Sequence, residues 1–152
     1  MPHTHIWVHA VWCTKGREPM LKKTVRSQLF AHILANARQM HLAIDTINGV
    51  EDHVHALLRL YPDQSIAWVI QLIKGEATHW INQNYITPWR FQWQEKYYAE
   101  SVSESGLDRV RRYIQRQEIH HLKISTEQEE SEMKAKGKSG RRAKSSMMLP
   151  SH

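Results

Sequence analysis

The sequence predicts an α+β domain: a ferredoxin-like βαββαβ antiparallel sheet with helices on one face and an additional C-terminal, tyrosine-bearing helix on the other. Three observations predict it. Segments rich in β-branched and aromatic residues alternate with segments whose apolar residues recur at helical spacing, in the order strand, helix, strand, strand, helix, strand. Near the middle lies Asp52-His53-Val54-His55-Ala56-Leu57-Leu58, where strand alternation points His53 and His55 to one face and Val54, Ala56 and Leu58 to the other. Finally, 152 residues suffice for one domain with a real core but not for two ordinary ones. The domain is expected over 1–125, with 126–152 as a basic, polar tail.

His5-Ile6-Trp7-Val8-His9-Ala10-Val11-Trp12-Cys13 reads as the first strand, closed by the basic turn Thr14-Lys15-Gly16-Arg17. From Thr24, the expected cap, Val25, Leu29, Ile33, Ala37 and Met40 recur on one helical face. Leu42, Ile44, Thr46 and Ile47 suggest a second strand that runs into a tight Asn48-Gly49 turn, with the histidine strand returning beside it. Tyr61-Pro62-Asp63 ends that strand. Ile66, Val69, Ile70, Ile73, Ala77 and Ile81 mark a second amphipathic helix capped by Asp63 or Ser65, and the stretch from Trp93 to Val102 supplies the last strand. Ser105-Gly106-Leu107-Asp108 is a start signal for a third helix, with Leu107, Val110, Ile114 and His121 on one side and Tyr113 and Gln117 together on another. After Ser125 the chain turns to Glu, Lys, Ser and Gly, too poor in apolar residues to fold alone, so the tail is expected to be disordered.

A net charge of +6 favours an anionic partner such as nucleic acid; the alternative is a solvated basic surface. The single cysteine, Cys13, excludes an internal disulfide and a cysteine-based zinc knuckle, and fits a reducing cytoplasm. No apolar run approaches the roughly 18 residues of a membrane span, and no signal-peptide pattern opens the chain. A cytoplasmic protein, at the nucleoid when bound to DNA, is expected. Trp89-Arg90-Phe91-Gln92-Trp93 sets aromatic rings among basic and polar residues, as a surface that stacks unpaired bases requires; the alternative is that these rings pack the core.

The histidine pair carries the chemistry. Neutral imidazole is a good ligand for divalent first-row metals, and two on one strand face can hold an ion with positions left open; the alternative is two strand histidines with no ligand. His3-Thr4-His5 has the same spacing, but its middle residue is polar and it lies at a terminus. If the third helix crosses the histidine face, Gln117 can supply a carbonyl oxygen as third ligand and Tyr113, one turn earlier, faces the same ion. A divalent cation there polarises a phosphate, and a tyrosine attacking it stores the phosphodiester as a covalent phosphotyrosine. A zinc-dependent hydrolase is a further alternative, but Glu118, the only near carboxylate, lies about 100° around the helix from Gln117.

These residues resemble the single-tyrosine HUH (His-hydrophobe-His) transposases, the TnpA-type and REP-associated tyrosine transposases of bacterial insertion sequences. The likeness runs from about residue 5 to about residue 125 in the family's order. It takes in Thr14-Lys15 with Arg17, Asp52-His53-Val54-His55, Leu72-Ile73-Lys74-Gly75, Trp93-Gln94, Ser101-Val102-Ser103, and Tyr113-Ile114 with Gln117 and His120-His121. The resemblance implies a Mg²⁺- or Mn²⁺-dependent enzyme that cuts and rejoins single-stranded DNA near hairpins through a 5′-phosphotyrosine. It gives His53, His55 and Gln117 the metal-ligand places and Tyr113 the nucleophile's. It also implies a homodimer with composite sites, in which Tyr113 and Gln117 come from the partner. Where many relatives carry glycine after Trp-Gln, this chain has Lys96-Tyr97-Tyr98-Ala99-Glu100. Lys15, Arg17, Lys74, Arg90, Trp93, Arg109 and Arg112 are the candidate DNA contacts. A hairpin-DNA-binding protein without turnover stands as the alternative function.

Overall fold

The computed structural model describes residues 3–119; the expected domain boundary at 125, the tail beyond it, and His120 and His121 lie outside the described residues. In chain order the elements are β1 (Ile6–Thr14), α1 (Lys23–Gln39), β2 (Ala43–Gly49), β3 (His53–Leu60), α2 (Ile66–Gln83), β4 (Trp93–Val102) and α3 (Leu107–Gln115). The strands form one antiparallel sheet in the order β2-β3-β1-β4, the ferredoxin-like arrangement expected from the element order.

Alternation divides the sheet into two unlike faces. Val8, Ala10 and Trp12 of β1 and Val54, Ala56 and Leu58 of β3 join Leu29 and Ile33 of α1 and Ile70, Ile73 and Ala77 of α2 in the main core. Removing such apolar side chains from water stabilises the fold by about 1.5–3 kcal/mol each, before the entropy of ordering them is charged. On the other face, Leu57 packs with Leu107 and Ile114 of α3, alongside Trp7, Val102, Val110 and Tyr113. The tyrosine-bearing helix therefore lies on the histidine side of its own sheet.

Several local expectations are corrected. Helix α1 starts at Lys23 with Lys22 as its cap and no side-chain capping bond, so Thr24 sits inside the first turn. Ser65, not Asp63, caps α2, its side chain accepting from the backbone N–H of Trp68. Asn48-Gly49 is no turn: Gly49 pairs with Val54 as the last residue of β2, and Val50 to Asp52 make the connection, with Val50 N–H donating to the His53 carbonyl at 3.0 Å. A Cβ at Gly49 would stand 2.4 Å from that carbonyl oxygen, which is the physical reason for glycine there.

The third helix is shorter than the pattern predicts. Gly106 occupies its N-cap position without a side-chain bond, and Arg116 ends it at φ −99°, ψ 16°, before a further turn begins at Gln117. Asn48 Nδ2 donates to the carbonyls of Ile114 and Gln115 at 3.0 and 3.2 Å. A continuing helix would need those two acceptors for its own N–H groups, so a side chain from β2 competes with continuation.

A register shift between Ile44 and Thr46 leaves Asp45 as an extra residue in β2. Such a bulge re-aims a side chain. Here Asp45 receives hydrogen bonds from Arg111 of α3 at 2.9 and 3.0 Å, which hold its carboxyl below the usual range and tie the helix to the sheet edge.

Candidate active site

His53 and His55 are 2 % and 0 % exposed, so the pair is built into the sheet rather than displayed on it. Their rings lie 5.0 Å apart at 65°. His53 Nδ1 donates to Asp52 Oδ1 at 2.8 Å, which in the neutral ring leaves the lone pair on Nε2. Burial acts to raise the Asp52 carboxyl, but the His53 hydrogen bond and the His53 and Arg17 charges outweigh it and hold the carboxyl below its ordinary range. His55 Nδ1 shares a hydrogen bond with His9 Nε2 at 2.9 Å, across β1 and β3. Both β3 imidazoles thus have Nδ1 engaged by the protein, the arrangement that commonly fixes a metal-ligating histidine.

Helix α3 brings Tyr113 onto this pair. Its ring lies 5.6 Å from that of His55 at 77° and 5.9 Å from that of His9 at 73°. Gln117, four residues on and fully buried, donates its amide N–H to the Tyr113 carbonyl at 3.2 Å. Its Oε1 is buried with no hydrogen-bond partner among the described residues. That hydrogen bond bridges the break at Arg116 and ties the Gln117 side chain to the Tyr113 backbone.

Among the described residues no three His, Cys, Asp or Glu side chains form a metal-holding group, so two histidines need a third donor of another kind. The buried amide oxygen of Gln117, without a hydrogen-bond partner among the described residues, is a donor type that could complete a nitrogen–oxygen set for a divalent cation such as Mn²⁺ or Mg²⁺. Cys13 pairs with His53 across the strands, but burial pushes its thiol up to about 11, so it is protonated at neutral pH and no thiolate competes. His3 and His5 are exposed and precede β1, outside this cluster.

The expected DNA contacts divide into three places. Lys74, Arg90 and Trp93 line one groove of about 480 Å³ between α2 and β4. Lys74 Nζ donates there to the carbonyls of Gln94 and Glu95, at 2.7 and 3.2 Å, and burial draws its pKa down to about 8. Lys15 and Arg17 lie in the turn after β1, where Arg17 stands 3.5 Å from Asp52. Arg109 and Arg112 are exposed on α3. The aromatic run Trp89 to Trp93 is split: Phe91 is fully buried, Trp93 packs edge-on against it and Trp12, and Trp89 is 53 % exposed. Trp93 also spends its indole N–H on the Lys74 carbonyl.

In the single chain α3 packs on its own sheet and Tyr113 reaches its own His55. His9 was not among the expected site residues, yet it is 6 % exposed and bonded to one of them. Its only sequence signal is a polar residue in the histidine-face phase of a strand otherwise apolar around it.

Comparison with known proteins finds similarity in sequence and in fold. The chain is 29 % identical over 114 residues to the ISDra2 transposase TnpA of Deinococcus radiodurans, covering 72 % of this chain and 81 % of that protein. In fold it is similar to a crystal structure described as a transposase of D. radiodurans R1, with TM-score 0.61, 24 % identity, and coverage of 76 % of this chain and 93 % of that one. It is also similar to a REP-associated tyrosine transposase bound to a REP hairpin, with TM-score 0.57, 16 % identity, and coverage of 81 % and 72 %. Residues 3–117 match the family described as "Transposase IS200 like", spanning both histidines, Tyr113 and Gln117, and the chain belongs to that transposase family.

Proposed function

We propose that this transposase-family chain cuts and rejoins single-stranded DNA at hairpin-bearing element ends through a 5′-phosphotyrosine on Tyr113, using a divalent cation held by His53, His55 and Gln117. The observation that carries the reading is the ring of Tyr113 packed against buried His55, with the buried Gln117 oxygen one turn further on. Mg²⁺ or Mn²⁺, when bound, supplies charge that polarises a phosphate oxygen and stabilises the displacement. The protein's part is positional. Asp52 orients His53, Asn48 and Asp45 hold the end and middle of α3, and Leu57 with Ile114 seats the helix on the sheet.

The phenol oxygen of Tyr113 gives up its proton as it attacks phosphorus, the bond to the 3′ oxygen breaks, and that oxygen takes up a proton and leaves as a 3′-hydroxyl, so the step is proton-neutral overall. The DNA stays joined through its 5′-phosphate, so a later attack by a 3′-hydroxyl reseals the strand without ATP. The hairpin-bound neighbour supports a folded single strand as the partner class. Two element ends require two tyrosines, so a homodimer is the simplest supply, acting in the cytoplasm at the nucleoid. Among the described residues no helix is long and apolar enough to cross a membrane.

The test uses a single-stranded oligonucleotide that carries a hairpin, incubated with the full chain with Mn²⁺ or with chelator. Cleavage with Mn²⁺ and none with chelator is expected. Binding of the hairpin with no cleavage under any divalent cation would make the protein a hairpin-binding one without turnover.

A further inference from the structure

We propose that His9 is a positioning residue that sets the tautomer of His55, holding its proton on Nδ1 so that Nε2 presents a lone pair to the cation. The proposal rests on the reading of His55 as a metal ligand. One proton lies between His9 Nε2 and His55 Nδ1, which are 2.9 Å apart and buried. If His9 donates it, His55 carries its own proton on Nε2 and cannot coordinate through that atom. If His55 donates it, Nε2 is the lone-pair nitrogen.

The neighbouring ligand shows the same logic with a less ambiguous partner. Asp52 is a carboxylate that only accepts, so His53 must donate from Nδ1. Across the strands His55 Nδ1 meets an imidazole, which can accept or donate, and the site works only with His9 accepting. His9 can play this part because the pairing of β1 with β3 sets Val11 opposite His55 and His9 opposite Leu57, on the same sheet face. The proposal gives β1 a share in the chemistry of a site otherwise made by β3 and α3. Outer partners of this kind typically change metal affinity by about 10–100-fold when removed.

Three measurements test it, the first two without DNA. In long-range ¹H–¹⁵N spectra of the cation-free protein, taken above about pH 7.5 where an ordinary imidazole is neutral, His55 should show protonated Nδ1 and lone-pair Nε2. In Mn²⁺ titration calorimetry, His9→Leu should weaken binding by about 10–100-fold. His9→Gln, whose carbonyl oxygen accepts the same proton, should stay within a few-fold of the parent. At saturating Mn²⁺, His9→Leu should recover most of its cleavage rate, a split between cation affinity and turnover that a merely structural role would not produce. A proton on Nε2 of His55 overturns the proposal, and so does equal weakening by Leu and Gln. Should His9→Leu fail to fold, the parent spectrum and the His9→Gln titration still decide. A protein with the expected tautomer and Mn²⁺ affinity that never cuts DNA would overturn the transposase chemistry and leave the role of His9 standing.

Discussion

The ring of Tyr113, on α3, meets that of His55, on β3, edge-on, 5.6 Å between centroids and 77° between planes. Edge-to-face packing of this kind orients a ring beyond what burial alone does. Tyr113 therefore has a defined direction over the histidine face before DNA arrives, and Ile114, packed on Leu57, anchors the helix that carries it. The arrangement ties the proposed nucleophile and the proposed metal ligands into one packed unit.

His53→Ala and His55→Ala should each abolish Mn²⁺-dependent cleavage, while His3→Ala and His5→Ala should leave it near the parent rate. The first pair is buried and braced by Asp52 and His9; the second is exposed ahead of β1. The check is cleavage of a hairpin oligonucleotide by the four variants. Equal loss from the N-terminal pair would move the site.

Docking of α3 on its own sheet predicts the outcome of a complementation experiment. If the single-chain arrangement holds in a dimer, a mixture of His53→Ala and Tyr113→Phe proteins, each inactive alone, should stay inactive after subunit exchange. If cleavage returned in demonstrated mixed dimers, α3 would be exchanged through Ser103 to Gly106, rebuilding the Asp45–Arg111 and Leu57–Ile114 contacts between chains.

Lys74 should give DNA binding a pH dependence. Burial lowers its pKa to about 8, and an amine is cationic only below its pKa, so a phosphate contact at the α2–β4 groove should weaken as pH rises through that value. Single-strand affinity of the parent should fall between about pH 7 and pH 9, whereas Lys74→Gln should bind more weakly at the lower pH and stay flat. A parent affinity that does not change over this range would exclude the groove from the DNA path.

Truncation after Ser125 should weaken binding to all single strands about equally and flatten its salt dependence, since basic residues contact phosphates without reading bases. Affinity for two different hairpins over a salt series measures it. Loss of discrimination between them would make the segment a specificity element.

What could be read from the sequence is what is written in local periodicity. The period-2 alternation through Asp52 to Leu58 correctly separated the histidine face from the core face, and the helical spacing of Ile66 to Ile81 correctly gave α2 its buried stripe. Tyr113 comes over the histidines only on the condition that the third helix crosses that face, a condition that the family resemblance and not the spacing supplies. Contacts across the fold were not readable. His9 meets His55 across 46 positions of sequence, a relation set by strand pairing and not by spacing. The end of α3 at Arg116 is decided by Asn48, which the sequence presents as half of a turn dipeptide. The aromatic run from Trp89 was ambiguous because burial of Phe91 depends on Asn82, whose side chain pairs with both its N–H and its carbonyl.

The central claim, that Tyr113 is the nucleophile of a cation-dependent site on the histidine face, is tested most directly by mapping the covalent protein–DNA adduct. The full chain is incubated with a single-stranded hairpin substrate and Mn²⁺, digested, and the DNA-bearing peptide identified by mass spectrometry. The adduct should fall on Tyr113 and be absent from Tyr113→Phe, which should still bind the hairpin. The competing tyrosines are Tyr98, buried with its hydroxyl donating to Glu100 at 2.5 Å, and Tyr97, which packs against the main core on the opposite face. An adduct on either of them, or cleavage by Tyr113→Phe at the parent rate, would contradict the claim.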